Sequence, residues 1–540
     1  MKFKNFPISV LDLALFIYFI FFIFYHLDWG APYYFHPDER NIASSISQLN
    51  LFSNLNPHFF AYGSLPIYLV YFIGLFTNFF TNHFIFNPMV SFDGAIIIGR
   101  ILSAILTIFL CGLIYLYSLE VSNKKAAKLS LYFSLTSVAL FQFSHFGTYE
   151  IWIAFFTLLL IYLLTIYRKT NNPIYLTISS CILGVLCGLK LSSVVLTIIP
   201  IYIILETLFQ KRFSFKTILD FIKRILISTY CFLLFYFLTA PFNLLDSKSF
   251  MDSMKYEGGV ATGSLSVFYT GSFLGKIPIL FQYEKILPFL INPVLTLLSI
   301  PAAFYTFYLA YKHKKSSHFV FAISFLCVFL SGSLLFAKWT RYIIPAVPFL
   351  YISIAIFIER VVKNLRKNNF QIVNLFLVVI CLIFSFAFIK TVRIDTDTRI
   401  EGVQFSEKNI PSKSNILSEV YDLGIVPFNG HFQNINLFNF YDLDNGNLTP
   451  SDLQILLNNS GYIILPSQRI YKSRILDPKH FPSGNKFYSQ LFSGKLGFKQ
   501  IYQTPCDIYC KLTYFGNPIF NVEETADVFD RPVVFIFKRT

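Results

Sequence analysis

Residues 65–80 read LPIYLVYFIGLFTNFF. Whether this run crosses a membrane decides the fold, because the side of every later segment turns on it. Around it lie eleven other apolar runs that read as spans: 7–27, 95–118, 128–144, 151–167, 174–189, 191–208, 219–240, 286–311, 318–337, 342–358 and 370–390. Most approach the roughly 20 residues that a helix needs to cross a bilayer. With Lys2 and Lys4 inside and 65–80 not crossing, the inside loops carry Lys124, Lys125 and Lys128, then Arg168 and Lys169. They also carry Lys211, Arg212, Lys216, Lys223 and Arg224, then Lys312, Lys314 and Lys315, then Arg360, Lys363, Arg366 and Lys367. Every strongly basic loop then falls on one side, as topology signals require. A crossing at 65–80 would put all of these loops outside. The run is therefore expected to lie in the interface or to re-enter, being only 16 residues long.

Composition agrees with a multi-pass membrane protein. The 540 residues are 55% hydrophobic and 14% charged, against about 25% charged in soluble domains, and the mean hydropathy is +0.58. The net charge of +15 reads as loop lysines and arginines that set topology, so no nucleic-acid partner is expected. The basic start and long apolar run at the N-terminus, with no small-residue cleavage site after it, read as an uncleaved signal anchor. Domains are expected at 1–390, the transmembrane part, and 391–540, a polar tail outside the membrane. In that tail GYIILP (461–466) and RPVVFIFKR (531–539) read as buried strands of an α/β domain. Six cysteines sit in or at the ends of apolar spans, whereas Cys506 and Cys510 lie in the tail and can pair if it faces an oxidising compartment. Asn447-Leu-Thr and Asn458-Asn-Ser fit the N-glycosylation pattern, a pattern common by chance.

On this topology the outer segments are 28–94, 145–150, 241–285, 338–341 and the tail. The first contains FHPDERNIASSIS (35–47). Pro37 suits a first helical turn, and Asp38 and Glu39 suit its positive end. Ile42, Ile46 and Leu49 form an apolar stripe that the two carboxylates flank on either side, so periodicity leaves open which one faces a site. In the second, FSHFGTYEIW (143–152), Glu150 opens a span with His145 nearby. In GVLCGLKLSSVV (184–195), Lys190 is a lone cation at the outer end of two spans, suited to hold a phosphate or to reach headgroups. In FAKWTRYIIPAVPFL (336–350), Lys338 and Arg341 stand where a helix enters the membrane, with Trp339 and Tyr342 able to form an aromatic belt. The segment SMKYEGGVATGS (253–264) predicts a mobile outer stretch, and Lys255, Glu257, Glu284 and Lys285 are unranked candidates. Asp38, Glu39, Glu150, Lys190, Lys338 and Arg341 all fall at one face of the bilayer. Carboxylates can act as bases towards a hydroxyl, and cations can stabilise a leaving phosphate. No Walker loop, GxGxxG turn or CxxC pair is present, so nucleotide-driven chemistry and thiolate metal sites are unsupported.

FHPDER (35–40), NPHFFAYGSLPIYL (56–69), GRILSAIL (99–106), SHFGTYEIWIAFF (144–156), GLKLSSVV (188–195) and KWTRYIIPAVPFL (338–350) resemble the GT-C glycosyltransferases of family 39. That group includes protein O-mannosyltransferases and aminoarabinose transferases. The tail stretches LFSGKLGFKQIY (491–502) and VFDRPVVFIFKR (528–539) are similar to bacterial members with an outer C-terminal domain. The resemblance implies a polytopic helical GT-C fold of about eleven spans. It implies transfer of a hexose or pentose from a polyprenyl-phosphate donor to a lipid, glycan or protein acceptor, with inversion. Asp38 would be the general base, accompanied by Glu39 and Glu150, where Glu150 stands in place of the family's usual Asp. Lys190, Arg341 and Lys338 would hold the donor phosphate, supported by His36, His145 and Tyr342. The expected location is the plasma membrane, with the site and tail outside the cytoplasm. No cofactor is expected. A divalent ion would suit Asp38, Glu39 and Glu150 but is not predicted. The alternative, a transporter or flippase of lipid-linked sugars, calls for ionisable residues at mid-membrane and internal repeats; the spans are nearly empty of charge at their centres.

Overall fold

The structure is a computed structural model and describes residues 9–81, 83–209, 214–313, 317–362, 367–515 and 525–540. Among the basic residues used for topology, Lys2, Lys4, Lys211, Arg212, Lys314, Lys315, Lys363 and Arg366 lie outside the described residues.

The body opens with α1 (Val10–Phe24), whose Ser9 and Asp12 form a reciprocal capping box. Next come α2 (Pro37–Ser47), α3 (Ser64–Thr81), α4 (Phe92–Val121), α5 (Lys124–Leu135), α6 (Val138–Ser144), α7 (Glu150–Thr170) and α8 (Pro173–Leu189). A 3₁₀ stretch, Leu191–Thr197, leads into α9 (Ile198–Phe209), then α10 (Phe215–Thr239), α11 (Phe242–Leu245), α12 (Ser247–Thr262) and α13 (Leu287–Leu290). The body closes with α14 (Pro293–Lys312), α15 (Ser317–Ser333), α16 (Val347–Val362) and α17 (Lys367–Ile389). Seven helices among the described residues are long and apolar enough to cross a membrane, and α3, 18 residues long, is one of them, so length does not exclude it as a span; four more helices are apolar but shorter.

Three differences from the sequence reading have local causes. The span expected at 128–144 is two helices, because the chain breaks at Thr136 and Ser137, where Ser137 caps α6 through the Leu140 amide. The span expected at 342–358, which Pro345 and Pro348 are expected to break or bend, starts with two 3₁₀ turns, Thr340–Tyr342 and Ile344–Ala346, in place of α-helix, as those prolines deny a regular ladder there. The stretch expected to be mobile, 253–264, is largely helical in α12, which ends at Gly263 with φ +81°.

The decisive run forms α3, and its contacts fix its course. Gly63 donates its N–H to the Leu189 carbonyl at the C-terminal end of α8. A Cβ at Gly63 would lie 1.6 Å from the Gly188 oxygen, so only glycine permits this approach. About two turns further on, Val70 lies against Gly99 in the first third of α4. The Tyr71 hydroxyl then donates to the Pro88 carbonyl, and Asn78 donates to Met89, both just before α4. Its partners thus belong to one end of the neighbouring helices, so α3 runs across those ends. At the opposite ends, Arg168 of α7 pairs with Glu206 of α9 at 2.6 Å, and Lys169 pairs with Glu120 of α4. Elsewhere α8 and α10 cross closely: a Cβ at Gly184 would come within 2.3 Å of the Phe232 oxygen.

The tail follows α18 (Thr398–Asn409) with strands β1 (Asn415–Glu419), β2 (Asn434–Phe438), β3 (Tyr462–Leu465), β4 (Phe498–Gln503) and β5 (Phe535–Arg539). Their order is β2-β1-β3-β5-β4, with β1 parallel to β2 and β3, and β5 antiparallel to β3 and β4. Ile416, Ile464 and Ile536 face one core, and Leu417, Ile463, Leu465, Phe535 and Phe537 face another. Burial on both faces explains the unbroken apolar runs in β3 and β5. Cys506 and Cys510 form a disulfide. The tail seats on the body through Gln142, which donates to Asp530 at 2.7 Å, through the Tyr509 hydroxyl on the Phe289 carbonyl, and through Phe529 stacked on His36.

Candidate active site

A cavity of about 1040 Å³ opens between the body and the tail. α2, α7, the end of α8, α12 and the turn before α16 supply its body side; the segments after β3 and before β5 supply the other.

Asp38 stands in the first turn of α2, where Pro37 fixes the entry and the helix N-terminus favours a carboxylate. Its side chain is 25% exposed and faces the cavity. Arg341 Nη1 donates to Asp38 Oδ2 at 2.6 Å, and the Tyr62 hydroxyl donates to the same oxygen at 2.9 Å. Burial works against the charged form, but the Arg341 guanidinium, then His36 and the Tyr62 hydroxyl, hold the carboxyl below its ordinary value. Arg341 is itself braced by the Trp339 ring, 4.4 Å from its Cζ. Lys190 follows α8 directly, and its ammonium lies 4.4 Å from the Tyr342 ring centre in the same cavity. Burial, then the like charge of Arg341, push Lys190 down to about 8. Glu150 opens α7 at the cavity wall, and its Oε2 is buried with no hydrogen-bond partner among the described residues.

Asp38 and Glu39, equivalent by periodicity, are separated by the fold. Glu39 does not line this cavity. Its carboxylate takes Arg100 in a bidentate pair at 2.9 and 2.7 Å and accepts the Gly147 amide at 2.5 Å. Arg100 also donates to the carbonyls of Leu27 and Trp29 at 2.7 and 2.9 Å, under the Trp29 ring. Glu39 is therefore a buried tie between α2, α4, the segment that follows α1 and the turn before Glu150, which corrects its expected place beside Asp38 in the chemistry. Lys338 is corrected likewise: its ammonium is turned back onto the carbonyls of Leu335 and Phe336, 3.3 and 3.0 Å away, and is not on the cavity wall. His145 has its ring nitrogens against the carbonyls of Phe141 and Tyr25 at 2.8 and 3.0 Å, again off the cavity. His36 is packed between Phe529 and Phe146, and burial lowers its basicity. Tyr342 remains on the wall beside Lys190.

Several wall residues escape the sequence reading. Tyr62, Asn41, Arg469, Lys472 and Asp527 line the cavity, as do the previously unranked Glu257, Glu284 and Lys285. Glu257 of α12 faces Lys190 and Arg341, and burial raises its pKa above the ordinary value. Arg469 follows β3, some 430 residues from Asp38 in the chain, and no spacing rule connects the two. Among the described residues no three His, Cys, Asp or Glu side chains converge as a metal site. Asp38 is engaged by Arg341 and Tyr62, and Glu39 by Arg100 and Gly147.

No protein-family model matches the chain, and no curated protein matches it in sequence. Among solved structures, the oligosaccharyltransferase of Archaeoglobus fulgidus in the apo form is 12% identical, with 98% of this chain and 88% of that chain covered and a TM-score of 0.49. ArnT from Cupriavidus metallidurans bound to undecaprenyl phosphate is 12% identical, with 87% and 94% covered and a TM-score of 0.47. AglB from Archaeoglobus fulgidus with an inhibitory peptide and a dolichol-phosphate is 11% identical, with 98% and 88% covered and a TM-score of 0.47.

Proposed function

We propose that this chain is a membrane glycosyltransferase that moves a sugar from a polyprenyl-phosphate donor to an acceptor on the extracytoplasmic side, with inversion. The observation that carries this reading is the meeting of Asp38, Lys190 and Arg341 in one cavity at the ends of the apolar helices, with Asp38 and Arg341 in direct contact. A transporter would place its charges midway along the helices; these stand at helix starts, helix ends and turns. The course of α3 across one set of helix ends and the disulfide in the tail fit a site and tail on the outer side.

Arg341 pairs with, and so neutralises, the residue cast as base. Arrival of the donor phosphate gives Arg341 a second anion, one matched to its planar fork. Lys190 adds a compact charge beside it. As Arg341 turns to the phosphate, Asp38 loses the cation that depresses its basicity and can take the proton of the acceptor hydroxyl. The hydroxyl oxygen bonds to the anomeric carbon, the bond from that carbon to phosphate oxygen breaks, and polyprenyl monophosphate leaves held by Lys190 and Arg341. Glu150, with an oxygen free to accept, suits a hydroxyl or ammonium of the bound sugar. The sugar would be a hexose or pentose, and the acceptor a lipid, glycan or protein.

Mass spectrometry of envelope lipids and proteins from cells with and without the gene tests the reading. A glycan mass should vanish with the gene, return with the wild-type gene and stay absent with Asp38→Asn. Its full return with Asp38→Asn would end the catalytic assignment.

A further inference from the structure

The tail closes the cavity with a feature that donor chemistry does not use. In a parallel sheet region, ligands gather outside the carboxyl ends of strands where the chain switches direction across the sheet. Here β1 leads to β2 on one side, and the chain then returns to β3 on the other, which places the switch at β1 and β3. The segment leaving the carboxyl end of β3, Gln468 to Ser473, lines the cavity. It brings two cations, and the charge balance of the two differs. Lys472 is neutralised by Asp527. Arg469 makes no ion pair among the described residues, although it is partly buried. Its guanidinium rests instead near the rings of Phe268 and Tyr269, 5.9 and 5.8 Å from their centres. Asp38 and Asp422 attract Arg469 from a distance but have closer partners, Asp38 in Arg341 and Tyr62, and Asp422 in the Ser467 hydroxyl and the Gly424 amide; Glu257 shares the cavity wall.

A partly desolvated guanidinium with no direct ion pair, held on an aromatic shelf in a cavity, is a site for an external anion. Lys190 and Arg341 already account for one phosphate from the body side. We propose that Arg469 forms a second anion subsite on the tail side of the cavity, which takes a phosphate or carboxylate carried by the acceptor. This rests on the glycosyltransferase reading and narrows it: the acceptor is an acidic head group or acidic glycan. The tail then selects the acceptor, and the body binds the donor.

The test uses the full chain in lipid nanodiscs saturated with undecaprenyl phosphate, titrated calorimetrically with glucose 1-phosphate, with glucuronate, and with glucose as the neutral control. At least one acidic probe should bind and glucose should not; which probe binds says whether the anion is a phosphate or a carboxylate. Arg469→Gln should weaken that probe at least tenfold while undecaprenyl phosphate affinity stays within twofold. Arg469→Lys should restore part of the loss, which a folding defect would not allow. The proposal is overturned if neither acidic probe binds, if Arg469→Gln leaves probe binding unchanged, or if it weakens undecaprenyl phosphate equally. Failure of the donor reading is separately visible, as undecaprenyl phosphate binding that Arg341→Ala does not alter; the probe titrations without lipid still report on Arg469.

Discussion

Replacing the proposed base should tighten donor-lipid binding. Arg341 is paired with Asp38 across 2.6 Å, with side chains only 21% and 25% exposed. A phosphate that recruits Arg341 must first compete with that carboxylate. A hydrogen bond between charged partners is worth about 1.5–3 kcal/mol, and a neutral one about 1 kcal/mol. Asp38→Asn keeps an acceptor for Arg341 but removes the charge, so it should release about 0.5–2 kcal/mol to phosphate binding. That corresponds to roughly 2–30-fold higher affinity for undecaprenyl phosphate. Transfer should be lost in the same protein. The affinity gain should shrink in high salt, because the pair being relieved is partly open to solvent. Calorimetry or a displaced fluorescent lipid phosphate, on protein whose thermal unfolding matches wild type, reads the effect. Affinity that is unchanged or weaker would refute the exchange of Arg341 between carboxylate and phosphate.

Three other outcomes follow from described contacts. Lys190, pushed down to about 8, is charged below that pH and neutral above it, so undecaprenyl phosphate affinity should fall as pH rises through about 8, and Lys190→Arg should flatten this limb; an unchanged limb would remove Lys190 from the phosphate site. Arg100→Ala leaves Glu39 charged and buried, and should cost about 3–5 kcal/mol of stability by chemical unfolding, whereas Glu39→Leu with Arg100→Met should recover much of it; equal stability of single and double variants would show that the pair is not coupled. A reporter fused after Lys390 should be active outside the cytoplasm, and activity inside would overturn the course assigned to α3.

The sequence discloses those features that depend on composition or on local chain chemistry. The tail strands at GYIILP and RPVVFIFKR are legible because burial on both faces demands continuous apolar residues. The apolar helices are legible for a similar reason. The start of α2 is legible because Pro37, Asp38 and Glu39 each suit a helix N-terminus. Which carboxylate serves the cavity is not, since the answer lies in Arg100, more than sixty residues away in the chain, and in the Gly147 amide. Lys338 and Arg341 look alike in sequence, but the turn offers Lys338 two carbonyls, and carbonyl partners leave no trace in side-chain identity. The break at Thr136 and Ser137 was hidden in an apolar run because a capping serine inside such a run resembles an ordinary small residue.

The tail forms one side of the cavity, and this orders events during synthesis. The pocket is complete only when Phe529 and Asp527 have joined Asp38, so nearly the whole polypeptide must leave the ribosome before the reaction chamber closes. A chain interrupted at the start of the tail would still carry the body helices and lack both Arg469 and the segment that seats on His36. On the proposed reading, such fragments would have an unclosed cavity and no transfer activity.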